Sequence, residues 1–485
     1  MLLRELLFGC DDALFFGVSP ETEITSPFCD TRETVRGGLF ICLRGISTDG
    51  HCHAKEAHER GAAAVVGEYP IEGVPCVAVK DTRSAASVIW NNFYGRPGDK
   101  MKFFGITGTN GKTTTAVLLD ACFKAAGYKT GVMGTLGCFL DEKEIITRGS
   151  EKGDIPSAMT TPDPKYLYGT LAEFLKMGAT HCVMEVSSHG INQKKTENID
   201  FFAGVFTNLS PEHLDFHKTM EDYYRTKASF IERCKTKIIN CDDPFASRLA
   251  QSDGAVRASR KMLEGVSFSN KGVSYTYLFQ GEKVRIESPL LGEFSLYNTL
   301  FASLCALTAG VDRESVQRGI GSVRNVVGRM ERAVKREEWG FDLYIDYAHT
   351  PAALESVLSS LRRSGEGRLI CVFGCGGDRD REKRPLMGRI AQRWAHEVIV
   401  TNDNPRNEDS LGIIRNIIVG MEKNNCIVIP DRGEAIYCAV MSAKKGDTVL
   451  LAGKGHETYE IGPYGKRSFD ERKIVREALM AKYGK

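Results

Sequence analysis

Gly105-Ile106-Thr107-Gly108-Thr109-Asn110-Gly111-Lys112-Thr113-Thr114 is the stretch whose reading decides the fold. The apolar pair Phe103-Phe104 before it reads as a buried strand end. After it, Val117, Leu118, Ala121, Cys122 and Ala125 recur at helical spacing, which predicts a helix over Thr115 to Ala126. Strand, glycine-rich turn, Lys-Thr and helix together form a phosphate cradle. The turn can aim several backbone N–H groups at one anion, and the helix N-terminus adds its dipole. Lys112 supplies a point charge for the outer phosphates, and the Thr113 hydroxyl can hold Mg²⁺. Ile106 stands where the first glycine of G-x-x-x-x-G-K-T belongs, so only the core Gly108-x-x-Gly111-Lys112-Thr113 is kept. A glycine turn without a ligand is the plain alternative.

Around this stretch the chain has 485 residues, enough for about three domains of roughly 150 residues. With 42% hydrophobic and 26% charged residues it reads as ordinary globular protein. A net charge of +2 gives no reason to expect nucleic acid or an anionic membrane as partner. No apolar run approaches the roughly 18 residues of a membrane span. Met1-Leu2-Leu3-Arg4-Glu5-Leu6-Leu7-Phe8 is too short and charged for a signal peptide and reads as a small amphipathic helix. The fifteen cysteines are scattered, most of them inside apolar runs, as reduced buried thiols are. Cys371 and Cys375 stand four apart, but no second pair completes a zinc set. A cytoplasmic location follows as the expectation.

Taken in order, the chain repeats strand and helix three times over. Up to about Gly98, strands are expected at Gly38 to Leu43, Ala63 to Val66 and Val74 to Val79, with helices at His53 to Arg60 and Ala85 to Tyr94. Arg96-Pro97-Gly98-Asp99 reads as a linker. From Met101 to about Val327, candidate strands Lys129 to Met133, Cys182 to Val186 and Ala203 to Thr207 alternate with helices Tyr166 to Met177 and Met220 to Arg233. That pattern predicts a mostly parallel sheet covered on both faces. A hairpin over Val273 to Glu287 and a helix over Leu296 to Ala309 follow. The last block carries strands Leu343 to Asp346, Leu369 to Phe373, Glu397 to Thr401, Cys426 to Ile429 and Thr448 to Ala452. Helices are expected there at Ala352 to Leu361, Pro385 to Trp394 and Leu411 to Met421, in a Rossmann-like arrangement. Its cluster Gly374-Cys375-Gly376-Gly377-Asp378-Arg379 lacks the last glycine of a dinucleotide fingerprint. The expected class is therefore α/β, with units 1–98, 99–328 and 329–485: a small α/β unit, a central phosphate-loop unit and a Rossmann-like unit.

Ligands in such sheets gather beyond the carboxyl ends of the strands. Thr160-Thr161-Pro162, Glu185-Val186-Ser187-Ser188-His189 and Asn208 through Asp215 fall at those ends. Glu185 stands where a second Mg²⁺ ligand would face the phosphates, although an acid at a strand end is common. His213 alone is as well read as structural.

These clusters resemble the Mur ligases, the ATP-dependent amino-acid-adding enzymes of bacterial cell-wall synthesis. Gly328-Arg329-Met330-Glu331, Asp346-Tyr347-Ala348-His349-Thr350-Pro351, Lys383-Arg384-Pro385, Asp403-Asn404-Pro405-Arg406 and Gly453-Lys454-Gly455-His456-Glu457 extend the resemblance along nearly the whole chain in order. Within the family it runs to the branch that adds the third residue. The resemblance implies that ATP activates the carboxylate of UDP-N-acetylmuramoyl-L-alanyl-D-glutamate as an acyl phosphate, which the amine of meso-diaminopimelate then attacks. It also implies two Mg²⁺ sites, on Thr113 and Glu185 and on His213 with a carbamate on Lys227. The ATP contacts it implies are Gly108, Thr109, Asn110, Gly111, Lys112, Thr113, Thr114, Asn298, Arg329, Asp346 and Lys383. Thr31, Thr160, Thr161, Ser187, Gln193 and Lys195 match positions that hold the UDP-muramoyl dipeptide. At Thr31 the family more often has Ser; at Lys195 it usually has arginine. Arg379, Asp403, Asn404, Arg406, Gly453 and Glu457 match the diaminopimelate pocket, and family members that add lysine lack arginine at the position of Arg406. A monomer with no nucleic-acid partner is expected. A lysine-adding relative or a folylpolyglutamate synthase is the near alternative; the block before Gly98 argues against the latter. A nucleotide-switched binding protein is the distant one, but it would need an N-K-x-D element for guanine, and the chain has none.

Overall fold

The computed structural model describes residues 1–45, 48–145, 159–269, 271–365, 367–422 and 426–484. The protein is α/β, built on separate sheets. The first has five strands in the order Leu14–Phe16, Cys76–Ala78, Ala64–Gly67, Leu39–Ile41, Pro27–Phe28. All of its pairings are parallel except that of Leu14–Phe16 with Cys76–Ala78.

The central sheet has eight strands. Lys102–Thr107, with Phe103, Phe104 and Ile106 buried, runs parallel between His181–Glu185 and Phe201–Phe206. Thr236–Asn240 and Ala255–Ala258 extend the parallel run on one side and Thr130–Gly134 on the other. Gly137–Leu140 and Lys143–Glu144 then turn antiparallel. A three-stranded antiparallel sheet, Glu264–Ser269, Gly272–Phe279 and Glu282–Ser288, includes the expected hairpin. Between the two sheets lies helix Glu293–Thr308, apolar on every side. Leu300 and Leu304 share one core with Ile106, Leu118 and Val205 on one side and Tyr275 and Ile286 on the other. A helix hydrophobic all round has to be covered all round.

The last large sheet has six strands in the order Glu331–Val334, Asp342–Asp346, Thr448–Ala452, Leu369–Phe373, Glu397–Val400, Cys426–Val428, parallel except for the first pair. A small hairpin, Tyr459–Gly462 with Gly465–Ser468, follows. All fifteen cysteines are free thiols. Among the described residues no helix is long and apolar enough to cross a membrane.

Three expectations need correction. The phosphate-loop helix is Lys112–Ala125, not Thr115 onward, so Lys112 and Thr113 lie in its first turn. Periodicity misses that turn because Lys112 and Thr113 are polar residues at a helix start. The N-terminal helix is one turn, Leu3–Leu6, held by burial of Leu3 and Leu6. Strand Val74 to Val79 shortens to Cys76–Ala78, because Val74 N donates to Ile71 O in a turn.

Candidate active site

The glycine loop from Gly108 to Gly111 is tied down by neighbouring backbone and side chains. Gly108 has φ +141, and a Cβ there would collide with Thr207 Oγ1. Only glycine takes that conformation without strain. The segment after the neighbouring strand stitches the loop in place. Thr109 N donates to Asn208 O (2.9 Å), Asn110 N to Asn208 Oδ1 (3.0 Å) and Thr207 Oγ1 to Asn110 O (2.7 Å). Ser210 N donates to Thr109 Oγ1 at 3.0 Å. The Asn208-Leu209-Ser210 motif therefore braces the loop, a role its spacing does not reveal.

Lys112 curls over the loop, its Nζ donating to the carbonyls of Gly108 (2.9 Å) and Thr109 (2.8 Å). Burial pushes its ammonium pKa down, opposed by the charges of Glu212 and Glu185. Arg329 arrives from the far side. Its guanidinium lies 4.6 Å over the Tyr347 ring and donates to Thr113 Oγ1 at 3.3 Å. Thr114 is buried in the same first turn. Asn298 is buried against the loop, its Oδ1 accepting from Thr115 Oγ1 at 3.4 Å. Asp346 accepts from Met330 N (2.6 Å) and Ala348 N (2.8 Å), pinning the chain after Arg329; burial raises its carboxyl pKa.

Glu185 is buried at its strand end and accepts from Thr135 N (2.9 Å) and Oγ1 (3.0 Å). Thr135 Oγ1 lies 3.2 Å from Thr160 Oγ1. Thr161 Oγ1 donates to Glu185 O (3.1 Å) and accepts from Ser187 N (2.9 Å). Lys195 is buried, bound to Asp163 Oδ1 at 2.8 Å and Thr161 O at 3.2 Å, and so holds the segment bearing Thr160 and Thr161. Gln193 caps the short helix Ser188–Asn192 through its backbone.

His213 adopts φ +56, left-handed backbone rare outside glycine. Burial pushes its imidazole pKa down to about 4. The Asp215 side chain lies outside the described residues. Glu212 connects two sheets: its Oε1 is 3.2 Å from His349 Nε2, and Lys383 Nζ donates to His349 O at 2.9 Å. Burial works to raise the Glu212 carboxyl pKa, but the His349 bond and charge hold it well below the carboxylate range. Lys227, only 1% exposed, donates to Gly108 O at 3.0 Å and approaches Thr107 Oγ1 at 3.4 Å. Among the described residues no carboxylate lies within ion-pair distance of it. Burial, then Lys112, drives its pKa well below that of an ordinary lysine.

A second cluster forms past the ends of Glu397–Val400 and Thr448–Ala452. Asp403 Oδ1 accepts from Asn404 N (2.8 Å), while Oδ2 is buried with no hydrogen-bond partner. Gly453 faces it with φ +116, and a Cβ there would stand 2.6 Å from Asp403 Oδ2. Asn404 donates to Glu457 Oε2 (2.8 Å) and accepts from Lys454 Nζ and Ile461 N, both 2.9 Å. Burial, then Asp403, raises the Glu457 carboxyl pKa. Arg406 sits at φ +52 and donates from Nη1 to Gly377 O at 2.9 Å. Among the described residues its other side-chain nitrogens have no partner. Left-handed backbone at a bulky residue persists where its surroundings impose it, and it gathers at functional sites.

One expected residue stands apart from these clusters, and one sits at their edge. Thr31 lies by the first sheet, its carbonyl accepting from Arg60 Nη1 at 3.0 Å. Arg379 is exposed, donates to Asp378 O at 3.2 Å, and lies beside Arg406, whose pKa is lowered by burial and then by the Arg379 charge.

Sequence reasoning assigned no role to Glu212, His349, Lys454, Arg384 or Glu408. Buried Arg384 forks onto Glu408 (3.0 and 2.9 Å) and joins the Gly376–Asp378 loop to the turn bearing Arg406. Arg384 holds the Glu408 carboxyl pKa down at about 2, against an ordinary 4.5. A depressed acid stabilises the fold above its unfolded pKa and loses that contribution as pH falls through the folded one. Glu408→Gln is expected to lower Tm by several degrees at pH 6–8. The gap to the unmodified protein should narrow between about pH 4.5 and 2. Melting curves across that range test it; a gap independent of pH contradicts the pairing.

Comparison with known proteins gives the family. The Mur ligase middle domain matches residues 106–306, and the domain described as Mur ligase, glutamate ligase domain matches residues 328–455. A relative from Aquifex aeolicus, named UDP-N-acetylmuramoyl-L-alanyl-D-glutamate--2,6-diaminopimelate ligase, is 41% identical over 459 residues, covering 93% of this chain and 92% of its own. One of the same name from Clostridium botulinum is 36% identical over 463 residues, covering 93% and 94%. A solved structure of such a ligase superposes with a TM-score of 0.70 at 30% identity, covering 100% of this chain and 99% of that one. On full-length similarity of this degree, the chain belongs to the Mur ligase family.

Proposed function

We propose that this chain is the ATP-dependent ligase that adds meso-diaminopimelate to UDP-N-acetylmuramoyl-L-alanyl-D-glutamate in peptidoglycan precursor synthesis. The observation that carries the reading is the 36–41% identity, over more than nine-tenths of the chain, to relatives named for that reaction. The site supplies the chemistry. A carboxylate is a poor electrophile, so one of its oxygens first takes the γ-phosphoryl group of ATP, and ADP leaves. The amine, having lost a proton, attacks the acyl carbon. The tetrahedral intermediate collapses to amide as the C–O bond to phosphate breaks. Negative charge gathers around the transferring group, and Lys112 and Arg329 are the cations that meet it. Gly108 to Thr114, Asn298, Asp346 and Lys383 bind the nucleotide. Thr31, Thr160, Thr161, Ser187, Gln193 and Lys195 hold the UDP-muramoyl dipeptide. Asp403 with its free Oδ2 takes the distal ammonium of diaminopimelate and Arg406 the carboxylate beside it, with Arg379, Asn404, Gly453 and Glu457 completing that pocket. The test is ligation with the UDP-muramoyl dipeptide, ATP and meso-diaminopimelate, read as phosphate release and tripeptide formation. No turnover with all three present would overturn it.

The donor set fits Mg²⁺. Among the described residues no three His, Cys, Asp or Glu side chains converge on a cation. Mg²⁺ instead takes one or two protein carboxylates and completes its shell with phosphate and water. Thr113 and Glu185 would hold one ion, and His213 with a carbamate on Lys227 the other; bound there, Mg²⁺ neutralises phosphate charge. Lys227 suits carbamylation because it is buried without a carboxylate partner, and burial favours the neutral amine that adds CO₂. Lys227→Arg keeps a cation and is expected to lower kcat at least about 10²-fold. With ¹³C-bicarbonate, the active protein should show a carbamate carbon resonance that Lys227→Arg lacks; active protein without that resonance would refute the assignment.

We also propose the three units 1–98, 99–328 and 329–485 as domains, since each is built on sheets of its own. We propose a monomer, acting in the cytoplasm, whose reducing compartment the free thiols support.

A further inference from the structure

Behind the amino-acid pocket lies an ion pair almost sealed from solvent. The Arg432 side chain, at the start of helix Arg432–Ser442, is 1% exposed, and that of Glu471, at the start of helix Glu471–Tyr483, is 0%. Arg432 Nε donates to Glu471 Oε1 at 2.8 Å. Its other two nitrogens reach backbone: Nη2 to Ala452 O at 2.8 Å and Nη1 to Asn402 O at 3.1 Å. Those carbonyls immediately precede Gly453 and Asp403. The strands leading to them are not neighbours, because Leu369–Phe373 runs between Thr448–Ala452 and Glu397–Val400. No direct ladder between those two strands sets the distance from Asp403 to Gly453. One planar guanidinium spans the gap, with its fork fixed by Glu471.

Stability is a poor explanation for the pair. Burying two charges costs desolvation, and apolar residues of similar volume often do as well or better. Among the described residues Glu471 Oε2 has no hydrogen-bond partner, so the pair is not even fully satisfied. Its geometry is what the pocket uses: Asp403 Oδ2, also unpartnered, stays against Gly453.

We propose that Arg432, oriented by Glu471, is a positioning residue for the amino-acid pocket: it locks Asn402 and Ala452 across the intervening strand, so that the Asp403 carboxylate stays aimed at the ammonium group of the incoming amino acid. This rests on the functional reading above. The control is therefore ligation by the unmodified protein, whose failure would defeat that reading before this one is tested. The decisive variant is the double substitution Arg432→Met/Glu471→Met, which removes both buried charges at once. It is expected to keep Tm while raising KM for meso-diaminopimelate about 10- to 100-fold, because small misplacements of a binding group are costly. KM for ATP and for the UDP-muramoyl dipeptide should stay unchanged. Arg432→Lys, which keeps the charge but not the fork, should fall between. If the double variant does not fold, Arg432→Lys decides, by the same split between KM values. An unchanged KM for diaminopimelate overturns the proposal. So does an equal loss across all three substrates, which is what a purely structural role produces.

Discussion

Lys112→Ala is expected to bind its substrates and melt normally, yet to ligate at least roughly 10³-fold more slowly. The lysine stands in the first helical turn after a glycine loop that other backbone groups hold rigid. Its ammonium rests on the carbonyls of Gly108 and Thr109, polar contacts that it can exchange for phosphate oxygens without crossing apolar surface. Phosphoryl transfer spreads negative charge over the moving group, and catalysis there is largely positioning and charge stabilisation. Arg329 meets that charge from the side of the last sheet and cannot take the place of a cation at the loop itself. Lys112→Arg is expected to rescue poorly, since a broad fork does not fit where a point charge sits between two carbonyls. The measurement is phosphate release at saturating ATP, with Tm and nucleotide binding as controls. Near-normal turnover in the folded alanine variant would show that the loop is not the phosphate site.

The unmodified protein should use meso-diaminopimelate in preference to L-lysine by roughly 10⁴-fold in kcat/KM, and Arg406→Ala should lose most of that preference. The two amino acids differ by one carboxylate beside the distal amine. A site built to bind that group leaves buried donors unpaired when lysine enters, and this penalty is what discriminates. The fold fixes Arg406 at three points. Its backbone is left-handed, its N–H donates to Ile461 O at 3.0 Å, and Nη1 is anchored on Gly377 O. The remaining nitrogens can fork onto a carboxylate. Asp403 and Glu457 supply the complementary charge; burial, then Asp403, raises the Glu457 carboxyl pKa, with Lys454 opposing it. Side-by-side ligation rates with both amino acids, repeated for Arg406→Ala, provide the test. Equal efficiency in the unmodified protein, or full diaminopimelate use by the variant, would remove Arg406 from the pocket.

Much of this was legible in the chain itself. Glycines at 108 and 111 before Lys112 and Thr113 announce a tight turn into a helix, because backbone conformation acts within a few residues. Strand ends such as Glu185 and Asn208 could be placed because apolar runs stop there. What lay outside local reach was decided by packing. Lys227 reads as one more helix lysine until helix Met220–Glu232 lays it beneath Gly108, 119 positions earlier in the chain. Thr207 and Asn208 become the loop's brace only because Phe201–Phe206 pairs beside Lys102–Thr107. The edge strand Glu331–Val334 and the hairpin after Tyr459 are too short and polar to show a period. Asp403 meets Gly453, and Arg432 reaches the residue before each, because strand order in a sheet is set by burial over the whole domain. Periodicity encodes which face a residue turns inward; it does not encode which distant segment waits there, and burial of a charge exists only once that segment has arrived.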